Sequence, residues 1–573
     1  MQKPSTHPQK VGFDFAFLML LLAAIYLPLM FAVPLPTTGD QKTYIAQALE
    51  MAEAHSWFKQ TLSELPNYYK GPLMFWLLRL GFIAFGVTPA ALIYMNIAGY
   101  ALAAWVLCSF VRKQLPRERA IAIMVPGLLF LSSGAYSHAL AAQMEAPLIA
   151  CYAVFMALLG GAEAGPVGQQ SRRMAWVMAG AAGLLKSPLH SALLGCSALL
   201  YWLFTRQLAG LARRISEWLS ILLGVAVCVA GFLPAMVTDF EAFYATYIER
   251  EHLTRGVNQN SLLGALGPFF GGQLQPWILL LIVAVLAGRW RRSPASDDLP
   301  TRRNLWLLIA AMIVPTGLFF AIHFFHSDIY FLPLLPAIAL LFGLVMSRLE
   351  WVNPAALKLC QWVLFVVVMI VCVAMAAIVL HFRPFPAWWG FWTDLVIFAS
   401  LFICVGSLLL GFRGRGLLYK VRCWFVAVAA LYAGFGQVLT GFERHEVNSF
   451  LTASSGYEAR TWARLNLTEN LWSDQGLLTV LLSRRITAVN TVGDLQKALS
   501  DGTLLYVLDD KQLAVVRETI ANLPAKSLKV VPYHTWRVHG RAANGEPVWA
   551  EAWRTRSLSP LEQTEYAVIA ENR

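Results

Sequence analysis

Along the chain, apolar runs long enough to cross a membrane alternate with polar connections. The first run, 13–33, follows a basic start, MQKPSTHPQK, and provides the roughly 20 apolar residues that a bilayer crossing needs. No small-residue cleavage site follows, so the run reads as an uncleaved signal-anchor with its amino end inside. Further runs lie near 89–111, 119–137, 147–161, 174–188, 190–205, 216–237, 275–288, 305–324, 329–347, 359–381, 391–412 and 421–441. Together they predict about 13 transmembrane helices. The segment 71–87 is apolar enough to be a fourteenth.

Charge parity argues against a fourteenth crossing. The connections around 112–119, 172–173, 206–214, 289–303, 348–358 and 413–422 are rich in Arg and Lys, and by the positive-inside rule they share the side of Lys3 and Lys10. That arrangement requires 71–87 to stay at the outer interface as a juxtamembrane or re-entrant element, tolerated where protein or a watery cavity covers its backbone. The same parity puts 34–88, 138–146, the turn at Lys186, 238–274, 325–328, 382–390 and everything after 442 outside. From 442 the pattern changes to strand-like runs (504–508, 528–532) and a helix-like one (492–499). The expected architecture is a polytopic α-helical membrane domain, 1–441, with outer loops 34–88 and 238–274, followed by a small soluble α/β domain, 442–573, on the periplasmic or extracellular face.

Composition sharpens this picture. Of 573 residues, 58% are hydrophobic and only 14% charged, too apolar for soluble domains alone. The net charge of +12 would suggest nucleic acid in a soluble protein. Here residues 1–441 hold 30 basic and 18 acidic side chains, while 442–573 hold 15 of each. The whole surplus is therefore an insertion signal, and no nucleic-acid partner is expected. Eight cysteines lie in apolar runs without zinc or redox spacing and read as small buried hydrophobes.

The chemistry-bearing residues concentrate on the outer side. Asp40 follows a Pro-rich exit (VPLPTTGDQ) and precedes an amphipathic stretch, 42–59. It is a candidate general base or an N-cap, and spacing alone favours the cap. Lys70 in PNYYKGPLMFW either snorkels at the interface or grips a phosphate. Glu145 in AAQMEAPL and Lys186 in GLLKSPLH sit at depths where ionisable groups are costly, which points to function; Glu145 also suits a helix's first turn. The loop EREHLTRG places Glu249, Glu251, His252 and Arg255 at helical spacing, as a solvated face or as weak metal ligands (Glu251, His252). His323, His326 and Asp328 precede a span. The chain contains no HExxH, P-loop, GxSxG or GxGxxG in a strand–helix context.

These motifs, in this order, resemble the lipid-linked-sugar transferases related to aminoarabinose lipid A transferase and the protein O-mannosyltransferases. GDQKTYIAQALEMAEAHSWF, then YYKGPLMFW, MEAPL, GLLKSPL, EREHLTR and HSDIYFLPLLPAIALL carry the resemblance over most of 13–350. It implies the GT-C membrane glycosyltransferase fold and a polyprenyl-phosphate sugar as donor. The anomeric centre would be inverted, with an envelope glycolipid or protein as acceptor. Lipid A or another glycolipid is favoured, on the outer face of the inner (plasma) membrane. It also implies roles. Asp40 is the catalytic or acceptor-orienting carboxylate, and Glu145 is a second acid. Lys70, Arg255, Lys186, Tyr330 and His326 serve the donor phosphate. Tyr44, Tyr69 and His252 serve the acceptor or sugar. A divalent metal is left open.

The sequence departs from the family pattern at four places: Gln41 and Tyr69 stand where acids are usual, Gly71 where Pro is, and His326-Ser327 where Lys-Arg is. The departures weaken a metal centre and leave fewer cations for a phosphate. They keep in view a protein O-glycosyltransferase, a non-catalytic paralogue and a lipid-linked-sugar transporter. A transporter would show midplane polar sites and repeated halves, neither of which this sequence displays.

Overall fold

The computed structural model describes residues 11–31, 39–62, 65–140, 142–162, 166–253, 266–287, 299–322, 328–382, 390–414, 416–465, 486–507, 509–523, 526–536 and 547–572. Nine α-helices are described up to residue 204: α1 (Val11–Tyr26), α2 (Gly39–Glu53), α3 (Pro72–Phe85), α4 (Pro89–Gln114), α5 (Arg119–Leu131), α6 (Ser133–Ala139), α7 (Glu145–Gly160), α8 (Pro166–Leu185) and α9 (Pro188–Phe204). Their starts are legible in the sequence. Proline opens α3, α4, α8 and α9, where its missing N–H costs nothing and its fixed φ suits the first turn.

Among the described residues, seven helices are long and apolar enough to cross a membrane, or up to nine if each of two bent pairs is one span. Four shorter apolar helices (α3, α7, α9 and Ile215–Ala230) accompany them. The count of 13 does not emerge from helix length and composition alone. One reason is breakage. The run 119–137 bends by 52° between α5 and α6, where Ser132 caps α6 by accepting a hydrogen bond from the Ala135 N–H, and the run at 275–288 is preceded by a 103° bend.

α3 turns back at Gly86, whose φ of 68° suits glycine, and packs on the first turns of α4. A Cβ at Gly81 would lie 2.5 Å from the Ala91 carbonyl oxygen, and the Phe85 and Tyr94 rings are 5.5 Å apart. Further along α4, Asn96 donates to the Ala139 carbonyl and Tyr100 to that of Ala135. At the opposite end of α4, Arg112 meets Asp14.

That opposite end is laced by ions. Asp14, fully buried, receives Arg112 at 2.8 Å, Arg119 at 3.0 Å and Arg422 at 2.9 Å. Arg172 pairs with Glu217 at 2.8 Å, Glu118 with Arg302 and Ser347, and Glu350 accepts from the Leu417 N–H. A charge inside an apolar bundle persists only when paired, so these contacts tie the ends of helices far apart in sequence. Cysteines 108, 228, 360, 372 and 404 are buried as expected, whereas Cys196 is exposed on the flank of α9.

The carboxy-terminal part is a mixed five-stranded sheet, order β4-β3-β5-β7-β6, after a short hairpin, β1 (Thr61–Leu62) with β2 (Leu65–Pro66), in the first loop. β3 (Trp462–Leu465) runs parallel to β4 (Ile486–Val489) and β5 (Leu504–Val507). β7 (Glu562–Asn572) is antiparallel to β5 and to β6 (Lys526–Trp536), pairing Lys526 with Asn572 and Trp536 with Glu562. Helices Val492–Ser500 and Asp510–Ala521 are capped by the side chains of Thr491 and Asp509. The helix Leu417–Ala453 runs unbroken through the boundary expected at 441/442.

Candidate functional site

The site assembles at the end of the bundle away from Asp14. Asp40 falls in the first turn of α2, so it does not cap that helix, which starts at Gly39 and ends at Glu53. There the free N–H groups and helix dipole favour its charge. One turn on, Tyr44 is buried and stacks on Tyr69, ring centroids 5.9 Å apart. The Lys70 ammonium lies 4.8 Å from the centre of the Tyr69 ring, a cation–π contact that holds the otherwise buried cation against an aromatic face. Gln47, also buried, donates to the Asn67 carbonyl and fastens the segment before Lys70 to α2.

Glu145 opens α7 and is buried; Lys186, in the turn between α8 and α9, reaches it at 3.1 Å. The same ammonium sits 4.8 Å from the centre of the Tyr330 ring. Tyr44 links the two halves. Its phenol is held well above its ordinary pKa, first by burial, then by Tyr69 and by the charges of Asp40 and Glu145. It therefore stays protonated, a hydrogen-bond donor between two carboxylates.

Gly71 explains how the halves are clamped. A Cβ there would lie 1.9 Å from the Leu184 carbonyl oxygen, so the segment carrying Lys70 lies directly on the last turn of α8, two residues before Lys186. Only glycine permits that approach, which accounts for its presence where the family-like motif has proline. Gly71→Ala is expected to push Lys70 away from Lys186 and destabilise the fold by about 1–3 kcal/mol, as overpacking typically does. Thermal unfolding in detergent checks it; an unchanged midpoint would disprove the clamp.

The second outer loop enters as a π-helix, Tyr244–Leu253, in place of the α-helical spacing read from EREHLTRG. With i to i+5 bonding, the α-helical register read for this segment does not hold. Thr246 anchors this arm by accepting from the Tyr68 N–H at 3.0 Å, two residues from Lys70. Tyr68 itself is pushed up to about 12 by burial and by Asp239. Arg255, His323 and His326 lie outside the described residues, as do the side chains of Glu251, His252 and Asp328. Among the described residues no group of three or more His, Cys, Asp or Glu comes together.

Two groups escaped the sequence reading. His138, in α6, contacts the Gln143 side chain, two residues before Glu145. His190, buried, pairs with the Tyr152 hydroxyl at 3.0 Å and lies against Phe320, which stacks on Tyr330. The only available signal was local: His138 lies seven residues before Glu145, and His190 one helical turn after Lys186. Beside this turn is an apolar cavity of about 490 Å³ between α8, α9 and the helix Ile215–Ala230, lined by Trp176, Ser191, Gly195, Cys228, Phe232 and Tyr247.

The fold defines a class. The chain has the GT-C fold, as its match to solved structures of ArnT shows. ArnT from Cupriavidus metallidurans bound to undecaprenyl phosphate superposes with a TM-score of 0.70 at 18% identity, covering 98% of each chain. The same protein in the apo state gives 0.69 at 17% identity, again over 98% of each chain. The Archaeoglobus fulgidus oligosaccharyltransferase in the apo form aligns at 10% identity over 92% of this chain and 70% of its own, with a TM-score of 0.39. No family model and no curated protein matches the sequence.

Proposed function

We propose that this chain is an integral-membrane inverting glycosyltransferase that moves a sugar from a polyprenyl-phosphate donor to an envelope acceptor, a lipid A-like glycolipid in the first instance. The observation that carries the reading is the convergence of Asp40, Tyr44, Tyr69 and Lys70 with Glu145, Lys186 and Tyr330 at one end of an ArnT-like bundle. A lipid monophosphate leaving group needs cations where charge develops, and the acceptor hydroxyl needs a carboxylate to orient it or take its proton. Lys70, with Arg255 from the second outer loop, serves the phosphate. Asp40 serves the acceptor, and Glu145, neutralised by Lys186, holds the sugar or the cation in place. The Tyr44 hydroxyl donates to the sugar or acceptor throughout the neutral range. The neighbouring apolar cavity suits the first isoprenes of a polyprenyl tail.

In this reading the ion-laced end with Asp14 is cytoplasmic, α3 stays at the outer interface, and the site and the sheet domain face the periplasm or exterior. Parity of the Arg-rich loops supports it, as does the packing of α3 on the outer turns of α4.

The test uses purified protein in nanodiscs with polyprenyl-phosphate sugars, guided by mass spectrometry of envelope lipids and glycoproteins from cells with and without the gene. Turnover to a glycolipid supports the proposal, and turnover to protein redirects it to O-glycosylation. Binding of polyprenyl phosphate without turnover would identify a transporter or non-catalytic paralogue. Lys70→Ala is expected to weaken polyprenyl-phosphate binding by about tenfold or more, in line with the roughly 1.5–3 kcal/mol typical of a hydrogen bond to a charged group. Unchanged binding would remove Lys70 from the phosphate site.

A further inference from the structure

The helix Val548–Thr555, between β6 and β7, carries two large aromatics on one face, Trp549 and Trp553, one turn apart. They are 63% and 45% exposed, whereas Val548 and Ala552 on the other face are buried against the domain. A soluble domain gains nothing by presenting paired tryptophans to water. What stands next to them decides their role. The Trp553 ring stacks on His381, centroids 4.1 Å apart and planes 10° apart, and its carbonyl contacts His381 Nε2 at 2.7 Å.

His381 is the last residue of the helix Pro354–His381, a membrane-span candidate of 28 residues. At 1.5 Å per residue it is about 42 Å long, more than the roughly 30 Å hydrocarbon core, so its ends lie in the interfaces. Its flank carries exposed Ile370, Val373 and Leu380, at 64%, 60% and 57%. That flank is lipid-facing, and the Trp549–Trp553 face continues it at the level where tryptophan rings prefer to sit.

We infer that Val548–Thr555 is an interfacial anchor that seats the carboxy-terminal domain on the lipid surface through Trp549 and Trp553. The occupant of this apolar face is the headgroup–acyl boundary of the bilayer. The domain is thereby held on the membrane by lipid as well as by protein, independently of which sugar or acceptor the enzyme uses.

The experiment compares wild-type protein with Trp549→Phe and with Trp549→Phe/Trp553→Phe, all full length in nanodiscs. The emission lost in each variant is the signal of the replaced rings. It is expected to be quenched at least about twofold more by lipids brominated near the top of the acyl chain than by aqueous iodide. Quenching by iodide alone would place the face in water and overturn the inference. Shielding from both would place another protein surface there and overturn it equally. Trp549→Phe leaves the His381 stack intact, so it keeps the test valid if the double variant loosens the domain.

Discussion

Replacing Asp40 by Asn is expected to lower sugar transfer by about 10²–10⁴-fold, the usual worth of a positioned general base, while leaving the protein folded. The substitution separates two roles. Asn keeps the size and hydrogen-bonding capacity that suit a helix start, so a residue present only to begin α2 would tolerate it. What Asn lacks is the ability to accept a proton and the negative charge beside Tyr44. Initial rates with purified lipid-linked sugar, together with the thermal midpoint, check it. A rate within a few-fold of wild type would show that Asp40 is structural and would move the catalytic assignment to Glu145.

The second large effect is expected at Lys186. Removing the ammonium in Lys186→Ala leaves Glu145 buried without its ion partner, at a cost of about 3–5 kcal/mol, the range for breaking a buried pair. Activity falls with it, because Tyr330 loses the cation over its ring. The double variant Glu145→Gln/Lys186→Met removes both charges and should recover much of the stability without recovering transfer. A double variant that is as unstable as Lys186→Ala would mean that the pair matters for packing and not for charge. One that is both stable and active would remove the pair from the mechanism.

Much of this molecule was readable from residue order. Apolar length gave the membrane helices in kind though not their count, the strand-like runs 504–508 and 528–532 fall on β5 and β6, and the resemblance of several motifs in order gave the fold class. Asp40, Lys70, Glu145 and Lys186 were named from the chain, because charged residues at membrane boundaries stand out against apolar surroundings, whereas Tyr44, Tyr69 and Tyr330 came from the family resemblance. Their partnerships were not legible. Nothing in the spacing says that Lys186 pairs with Glu145, 41 residues earlier, or that Gly71 lies on Leu184. Such contacts depend on how helices cross, which a one-dimensional pattern does not encode. Asp14 is the clearest omission. An acid within an apolar run looks like an exception until three arginines, two of them 98 and 105 residues away and one 408 away, are seen to converge on it. The π-helix at 244–253 escaped for the opposite reason, since its residues fit an α-helical pattern equally well.

The helix Leu417–Ala453 carries a mechanical consequence. Its 37 residues make a rod of about 55 Å. Near one tip, Arg422 is gripped by Asp14; near the other, Phe450 is embedded in the sheet domain, stacked on Tyr506 at 4.0 Å and edge-on to Tyr533. The domain is thus the far end of a strut whose foot is bolted on the opposite side of the bundle, with no hinge between. A tilt imposed at the foot is carried along the rod to the domain, so excising the domain at 441 would cut the strut in mid-helix.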